Sequence, residues 1–556
     1  MDRAADTMAS RVRLSLSAVR AVFAHAAQRR AVVAFACTGT ADWAVTVAVG
    51  VIAFQDGGAA AVGLIALARM LPSAVAVPVF AAVADRIRRE RLIAGASIVQ
   101  GLAIGVAALL LIADADLVVV YVLVVVSTVA NTILRPAHSS LLPSLCTTTS
   151  ELASATVATG LLGASAALAG PVITGVLLAW AGPDAVFGVA FVLCGVAMIA
   201  LLRIRYDAIE RPPTERSHVL REVLEGVQIV ARHRELRLVY TGVFAQTYVR
   251  GALNVLMVVV AFDLLDTGES GVAALAAAFG VGGVIGSFAG SLLTGSRHLG
   301  RWLVAALALW GAPIAAVAGT DAPAVAWVLV AFVGLANSVV DVPFFTLPVR
   351  LVDDVVLGRV FGVFESLVSF GVAAGSAATP VLISWLGLSG ALVATGALLP
   401  VLGLVAWSRL SAMDDRLGVR DREIDALRAS PMFSVLPVAS IEQLATRLRA
   451  VSVPAGDIIV EQGDPADVAY VIVAGHADVT GDGRPLGVSG PGDTVGEIAL
   501  LKDGHRTATV RARSDVDLLE MDRDAFLDAV TGHRVSREAA TSLADARLDV
   551  FRPSGG

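Results

Sequence analysis

The apolar positions of this chain fall into two regimes. From about Ala31 to Leu410 they form long runs broken by brief polar stretches, whereas from Asp414 onward a charge recurs every few residues. Crossing the hydrocarbon core of a bilayer takes about 20 apolar residues. Runs of that length are expected near 31–53, 60–82, 92–113, 117–135, 152–180, 183–203, 237–262, 270–294, 301–318, 323–346, 359–387 and 389–408. The pattern predicts an α-helical polytopic membrane protein with twelve transmembrane helices.

Beyond the last run the periodicity changes twice. Residues 416–428 carry charged and apolar positions at helical spacing and predict a linker helix, and helical spacing continues through Ile441, Leu444, Leu448 and Val451. From Ile458 the period shifts toward two, giving strands at 458–460, 468–473 and 476–479, with turns at Gly463-Asp464, Ala474-Gly475 and Gly481-Asp482-Gly483. Short strands at that spacing predict a β-roll or jelly roll, flanked by helices at 523–530 and 537–551.

The domain boundaries follow. A basic amphipathic segment occupies 1–30, six-helix halves occupy 31–204 and 237–410 around a middle loop at 205–236, a linker helix takes 411–430, and the β domain takes 431–556. In the first segment Arg3, Arg11, Arg13, Arg20, Arg29 and Arg30 accompany Val12, Leu16, Val19 and Phe23, as in a helix lying at the inner membrane surface.

Arginine placement sets orientation, because cytoplasmic loops collect it. The loops QDGG, DAD, AGPD, DLLDTGES, GTDAP and GLSG carry neither Lys nor Arg. The alternate loops carry Arg86, Arg88, Arg89 and Arg91, then Arg135, the segment 203–237, Arg297 with Arg301, and Arg350 with Arg359. Both termini and the β domain are expected in the cytoplasm, with the helices in the cell membrane. Two halves of six helices around a central cavity are the expected layout.

Composition agrees with a membrane protein, at 56% hydrophobic and 16% charged residues. The net charge of −6, with no basic stripe, points away from nucleic acid. Cys37, Cys146 and Cys194 lie in or beside apolar runs without CxxC spacing, so no metal site is expected. The chain lacks a nucleophile elbow and a G-x-x-x-x-G-K-[ST] loop, and no enzyme is expected.

The loop after the second run, Ala81 followed by Asp85-Arg86-x-Arg88-Arg89-Glu90-Arg91, resembles the G-x-x-x-D-R-x-G-R-[KR] signature of the major facilitator superfamily. Ala81 and Arg88 replace its glycines. The resemblance implies a transporter in which Asp85, Arg86 and Arg89 clamp cytoplasmic helix ends in one state of the cycle. Gly170-Pro171-Val172-Ile173-Thr174-Gly175 is similar to the GPxxGG motif of drug exporters, with Thr174 in place of a glycine. That implies efflux of small amphipathic molecules by an ion- or proton-driven antiporter, while small residues at this spacing equally serve close helix packing.

Ionisable groups inside a bilayer are costly and mark transport chemistry. Asp42, Arg69, Arg250, Asp341 and Glu365 are the candidates, with Asn131, Gln246, Asn254 and Asn337 as polar lining. A proton carrier needs a carboxylate whose affinity for the proton is raised by desolvation, and Asp42, Asp341 and Glu365 qualify by type. A fixed ion pair, for example with Arg250, is the alternative.

The stretch V-G-E-I-A-L-L-K-D-G-H-R-T-A-T-V from Val495 to Val510, which holds the chain's one lysine, resembles the phosphate-binding cassette of cyclic nucleotide-binding domains. G-D-I-I-V-E-Q-G-D and Y-V-I-V-A-G upstream fit the same family. The resemblance implies that Glu497 accepts the ribose 2′-hydroxyl. Arg506 and the backbone around Gly496, Ile498, Ala499 and Leu500 hold the cyclic phosphate, with Thr507, Ala508 and Thr509 beside it. Leu548, Val550 and Phe551 are candidates to cover the base. Thr507 suits either base, and cAMP is favoured over cGMP as the regulatory ligand. The expected partners are the bilayer, a transported small molecule and the nucleotide, and a homodimer stays open. A membrane-anchored receptor without transport and a nucleotide-gated channel are the rival readings.

Overall fold

The computed structural model describes residues 20, 22–84, 89–141, 145–146, 149–202, 219–293, 298–352, 354–419, 421–434, 436, 441, 444–445, 447–501 and 504–531. The chain divides into two compact units, Met1–Leu410 and Ser411–Gly556.

The first unit is helical. Its helices are α1 (Ala26–Ala84), α2 (Arg89–Ile112), α3 (Leu117–Leu141), α4 (Thr149–Trp180), α5 (Pro183–Leu202), α6 (Val219–Arg232), α7 (Arg234–Val259), α8 (Gly268–Leu293), α9 (Leu299–Val317), α10 (Pro323–Leu351) and α11 (Asp354–Val419). Among the described residues nine helices are long and apolar enough to cross a membrane. Two are much longer than a bilayer needs, α1 with 59 residues and α11 with 66. Each is broken where a polar loop is expected. Gly58 takes φ 64° in α1 and Gly387 takes φ 70° in α11, backbone that glycine adopts without a Cβ penalty. These breaks, and the shorter apolar stretch Leu117–Thr132, are where nine continuous helices depart from the twelve spans expected.

The middle segment is not a plain loop. Helix α6 is amphipathic, turns Glu225 toward Arg359 at 3.4 Å, and sets Gly226 against the Arg359 backbone so closely that a Cβ there would lie 2.6 Å from its carbonyl oxygen.

The helices meet through small residues and turn large apolar ones outward, Leu64, Leu102, Leu109, Trp180 and Leu404 among them. This suits hydrocarbon surroundings, where packing rather than water expulsion holds helices together. The Gly170–Gly175 motif serves that packing. Gly170 abuts Thr40, Trp43 and Ala44 of α1, the buried Thr174 hydroxyl donates to the Ala44 carbonyl at 3.2 Å, and Gly175 faces Ala273 of α8.

The second unit opens in the last turns of α11 and continues through α12 (Asp421–Ala429). The strands are β1 (Arg449–Val453), β2 (Ile458–Val460), β3 (Val468–Ala474), β4 (Ala477–Gly481), β5 (Arg484–Ser489), β6 (Thr494–Val495), β7 (Thr509–Ala512) and β8 (Val516–Asp522), with short helices α13 (Glu497–Leu501) and α14 (Arg523–Thr531). They form two antiparallel four-stranded sheets, ordered β1-β8-β3-β6 and β2-β7-β4-β5. Val460, Ile472, Val510, Val516 and Leu518 fill one core cluster. Leu427, Phe433, Leu444, Leu500, Met521 and Phe526 fill a second, which fastens the flanking helices to the first sheet.

The helical spacing expected through Val451 is overturned. Val451 lies in β1 opposite Leu518, because R-A-V-S-V alternates with period two and finds a partner strand in β8.

Candidate functional site

In the second unit a cavity of about 330 Å³ opens between β6, α13 and the segment leading into β7. Its polar side holds Gly496, Glu497, Ile498, Ala499, Arg506, Thr507 and Ala508, and its apolar side Val460, Val479, Leu486 and Val488.

Arg506 is 6% exposed, and its guanidinium is fixed by backbone. Nη1 donates to the Gly496 carbonyl at 2.9 Å and Nη2 to the Val468 carbonyl at 2.8 Å, with Asp467 at 3.9 Å. The loop carrying it is pinned as well, since the Arg506 N–H donates to the Asp464 carbonyl and its own carbonyl accepts from the Gly463 N–H. Two of five guanidinium donors are used in this way, so the charge is held at a fixed place on the cavity wall. Nearby, burial and the carboxylate of Glu520 push the Tyr470 phenol above its ordinary range.

Gly496 permits this arrangement. Its φ of +83° is a left-handed conformation, and an added Cβ would lie 2.5 Å from Arg506 Nη1. Glu497 follows at the start of α13 and is 2% exposed. By helix geometry the N–H groups of Glu497 to Ala499 have no acceptor within α13. Glu497, Ile498 and Ala499 reach the cavity. The side chain of Leu500 belongs instead to the core beside Phe433 and Phe526, and Leu500 does not line the cavity. Thr509 lies outside the lining and accepts from the Gln462 N–H at 3.0 Å, which ties β7 to the turn after β2.

In the first unit a smaller cavity of about 60 Å³ is lined by Trp43, Thr46, Arg69 and Met70 of α1, Asn254 and Met257 of α7, Val272 and Ala276 of α8, and Val372 and Ser376 of α11. Asp42 stands 3.7 Å from Arg69, so two of the five intramembrane candidates are brought together. The other three are not in this lining. Arg250 is half-buried on α7, while Asp341 and Glu365 are exposed on α10 and α11. Asn337 accepts from Gln246 at 3.2 Å. Asp85 and Arg86 lie outside the described residues, as do Leu548, Val550 and Phe551. Arg89 begins α2, and its side chain is also outside them.

Residues 31–375 match the model of the Major Facilitator Superfamily, and residues 450–533 that of the cyclic nucleotide-binding domain. The chain belongs to the Major Facilitator Superfamily. It carries a cyclic nucleotide-binding domain at the C-terminal side of the transporter domain. That domain is 35% identical over 102 residues to a "cAMP-dependent protein kinase regulatory subunit" of Emericella nidulans, covering 18% of this chain and 25% of the relative. It is 40% identical over 104 residues to "Acetyltransferase Pat" of Mycolicibacterium smegmatis, covering 18% and 31%. It is 31% identical over 102 residues to a "cGMP-dependent protein kinase" of Caenorhabditis briggsae, covering 18% and 14%. The chain thus spans a third or less of the length of these curated relatives.

The cassette resemblance at 495–510 does not extend to the apolar wall of Val460, Val479, Leu486 and Val488, and sequence reading missed it. Leu486, Val488 and Ser489 sit on β5, an edge strand whose Pro485 and Gly487 hide its alternation. A flat apolar wall opposite a fixed cation suits a ligand with one anionic end and one planar ring.

Gly496→Ala is expected to weaken cyclic nucleotide binding about tenfold while costing roughly 1–2 kcal/mol of domain stability, since alanine resists the left-handed region and displaces the guanidinium. Calorimetric titration with cAMP and thermal unfolding of the same preparation measure the two effects.

Proposed function

We propose that this protein is a secondary active transporter of the cell membrane that exports small amphipathic molecules, driven by a proton or ion gradient, and that cytoplasmic cyclic nucleotide, cAMP rather than cGMP, regulates it. The observation that carries the regulatory part is the cavity in which the buried Arg506 is held by the carbonyls of Gly496 and Val468 beside Glu497 and the first turn of α13. An arginine so fixed meets a cyclic phosphate with charge-assisted hydrogen bonds. Glu497 offers a carboxylate to a ribose hydroxyl. The apolar wall from Val460 to Val488 takes the base.

Transport is supported by membership of the superfamily and by a small, mostly apolar cavity that the buried Arg69 lines together with residues of α7, α8 and α11. The arginine-bearing loops support a cytoplasmic position for the nucleotide domain. Asp42, Asp341 and Glu365 stay the candidates for proton coupling, and Asp85, Arg86 and Arg89 for the gate. Regulation follows if nucleotide binds one transporter state more tightly. A coupling free energy of about 1–3 kcal/mol shifts the state ratio roughly 5- to 150-fold.

The test uses full-length protein in proteoliposomes with a pH gradient, cAMP or cGMP on the side of the nucleotide domain, and fluorescein and rhodamine 6G as anionic and cationic amphiphiles. Flux of either dye that changes several-fold with cAMP is the expected result. No flux with or without nucleotide, in protein that binds cAMP, would show a membrane-anchored receptor instead.

A further inference from the structure

Within the membrane unit, Arg69 is the one Asp, Glu, Lys or Arg that is buried among the described residues, at 4% exposure. Its orientation is set by hydroxyls on two helices. Nε donates to Thr128 Oγ1 at 2.9 Å, and Nη2 donates to Thr46 Oγ1 at 2.8 Å. Thr128 is itself fixed, donating its hydroxyl to the Val124 carbonyl at 2.9 Å. The guanidinium is therefore pre-set, and ordering it costs a ligand little.

Its counter-charge stands farther off than hydrogen-bond distance. Asp42 Oδ1 is 3.7 Å from Nη2, and the Asp42 side chain is 29% exposed against 5% for Arg69. A charge-assisted N–H···O bond spans about 2.7–2.9 Å. Asp42 thus offsets the charge of Arg69 without closing on its donors. A buried guanidinium costs several kcal/mol unless an anion accompanies it, so the anion that fits its planar fork better takes the position. The cavity beside it, at about 60 Å³, holds a few waters and so admits the charged end of a cargo rather than the whole. Trp43, Met70 and Met257 supply an apolar surround, and Asn254 and Ser376 bring polar groups from the opposite half.

We infer that Arg69 is the binding site for an oxyanion group, such as a carboxylate, on the transported molecule, and that Asp42 is the resident competitor that neutralises Arg69 when the site is empty. This deepens the transport reading and rests on it. The cargo class is an amphiphile with one anionic end, which the two halves enclose around Arg69.

Full-length protein in nonionic detergent is titrated with three molecules of one shape, 1-naphthoate, 1-naphthylmethylammonium and 1-naphthalenemethanol, with the thermal unfolding midpoint as readout. The expected result is that naphthoate binds at least tenfold more tightly than the other two. Arg69→Gln is expected to reduce it to the level of the alcohol, and Asp42→Asn to tighten it several-fold by removing the competitor. Naphthoate binding no better than the alcohol overturns the assignment, and so does an unchanged affinity in Asp42→Asn, the variant that decides if Arg69→Gln does not fold. The pattern appearing in protein that moves neither fluorescein nor rhodamine 6G keeps the site and removes transport. Dye flux in protein indifferent to naphthoate does the reverse.

Discussion

Arg506→Ala is expected to lower the affinity for cAMP by about 100-fold, measured calorimetrically on the full-length protein in nonionic detergent. A hydrogen bond to a charged group contributes about 1.5–3 kcal/mol, and each 1.4 kcal/mol is a factor of ten in Kd, so loss of a two-pronged phosphate contact reaches that range. The side chain also has a structural task. It ties the Gly496 turn to the start of β3 through the carbonyls of Gly496 and Val468, which alanine leaves without their donors. Thermal unfolding without nucleotide separates the two effects, since a loss of binding counts only where the domain stays folded. Arg506→Lys keeps the charge but not the planar fork, and a drop of about tenfold is expected. Affinity unchanged in Arg506→Ala would remove the nucleotide from this cavity.

That cradle was legible in the sequence because anion binding restricts residue choice. A left-handed glycine, a buried acid and a buried arginine must stand at set places around one turn, and Gly496, Glu497 and Arg506 do so. The strands from β2 to β4 were legible because short apolar runs, such as Tyr470 to Val473 on β3, stand between turn signals. The opposite wall was hidden, since Pro485 and Gly487 break the alternation of β5 while leaving it a usable edge strand. Period alone also carried the helix reading too far at Val451, where pairing with β8 decides.

In the membrane unit, hydropathy marked the apolar runs but not their pairings. Asp42 and Arg69 stood out singly as charges in apolar surroundings. Their proximity depends on how α1 folds back at Gly57 and Gly58, a break that composition marks only as QDGG. Leu500 shows the opposite limit. The cassette pattern assigns it to the cradle, whereas packing claims its side chain for the core.

Gly334→Ala and Gly282→Ala are each expected to destabilise the transporter domain by roughly 3 kcal/mol, the upper range for overpacking a close contact. The two glycines lie where α8 crosses α10. A methyl added at Gly334 falls on the carbonyl oxygen of Phe279, and one added at Gly282 falls on that of Ala331. Gly286 repeats the contact one turn on, against Leu335. Backbone rather than a movable side chain receives each methyl, so the helices must separate. In hydrocarbon that separation forfeits van der Waals contact along the crossing, with no gain from expelling water to replace it. Gly188→Ala on α5 is the control, because a Cβ there meets nothing within 4 Å and alanine favours the helix. The readout is the thermal unfolding midpoint and the monodisperse yield of each variant in nonionic detergent. Gly188→Ala is expected to match the wild type, while the two crossing variants fall well below it. Equal midpoints for all three would mean that α8 and α10 do not approach at these glycines.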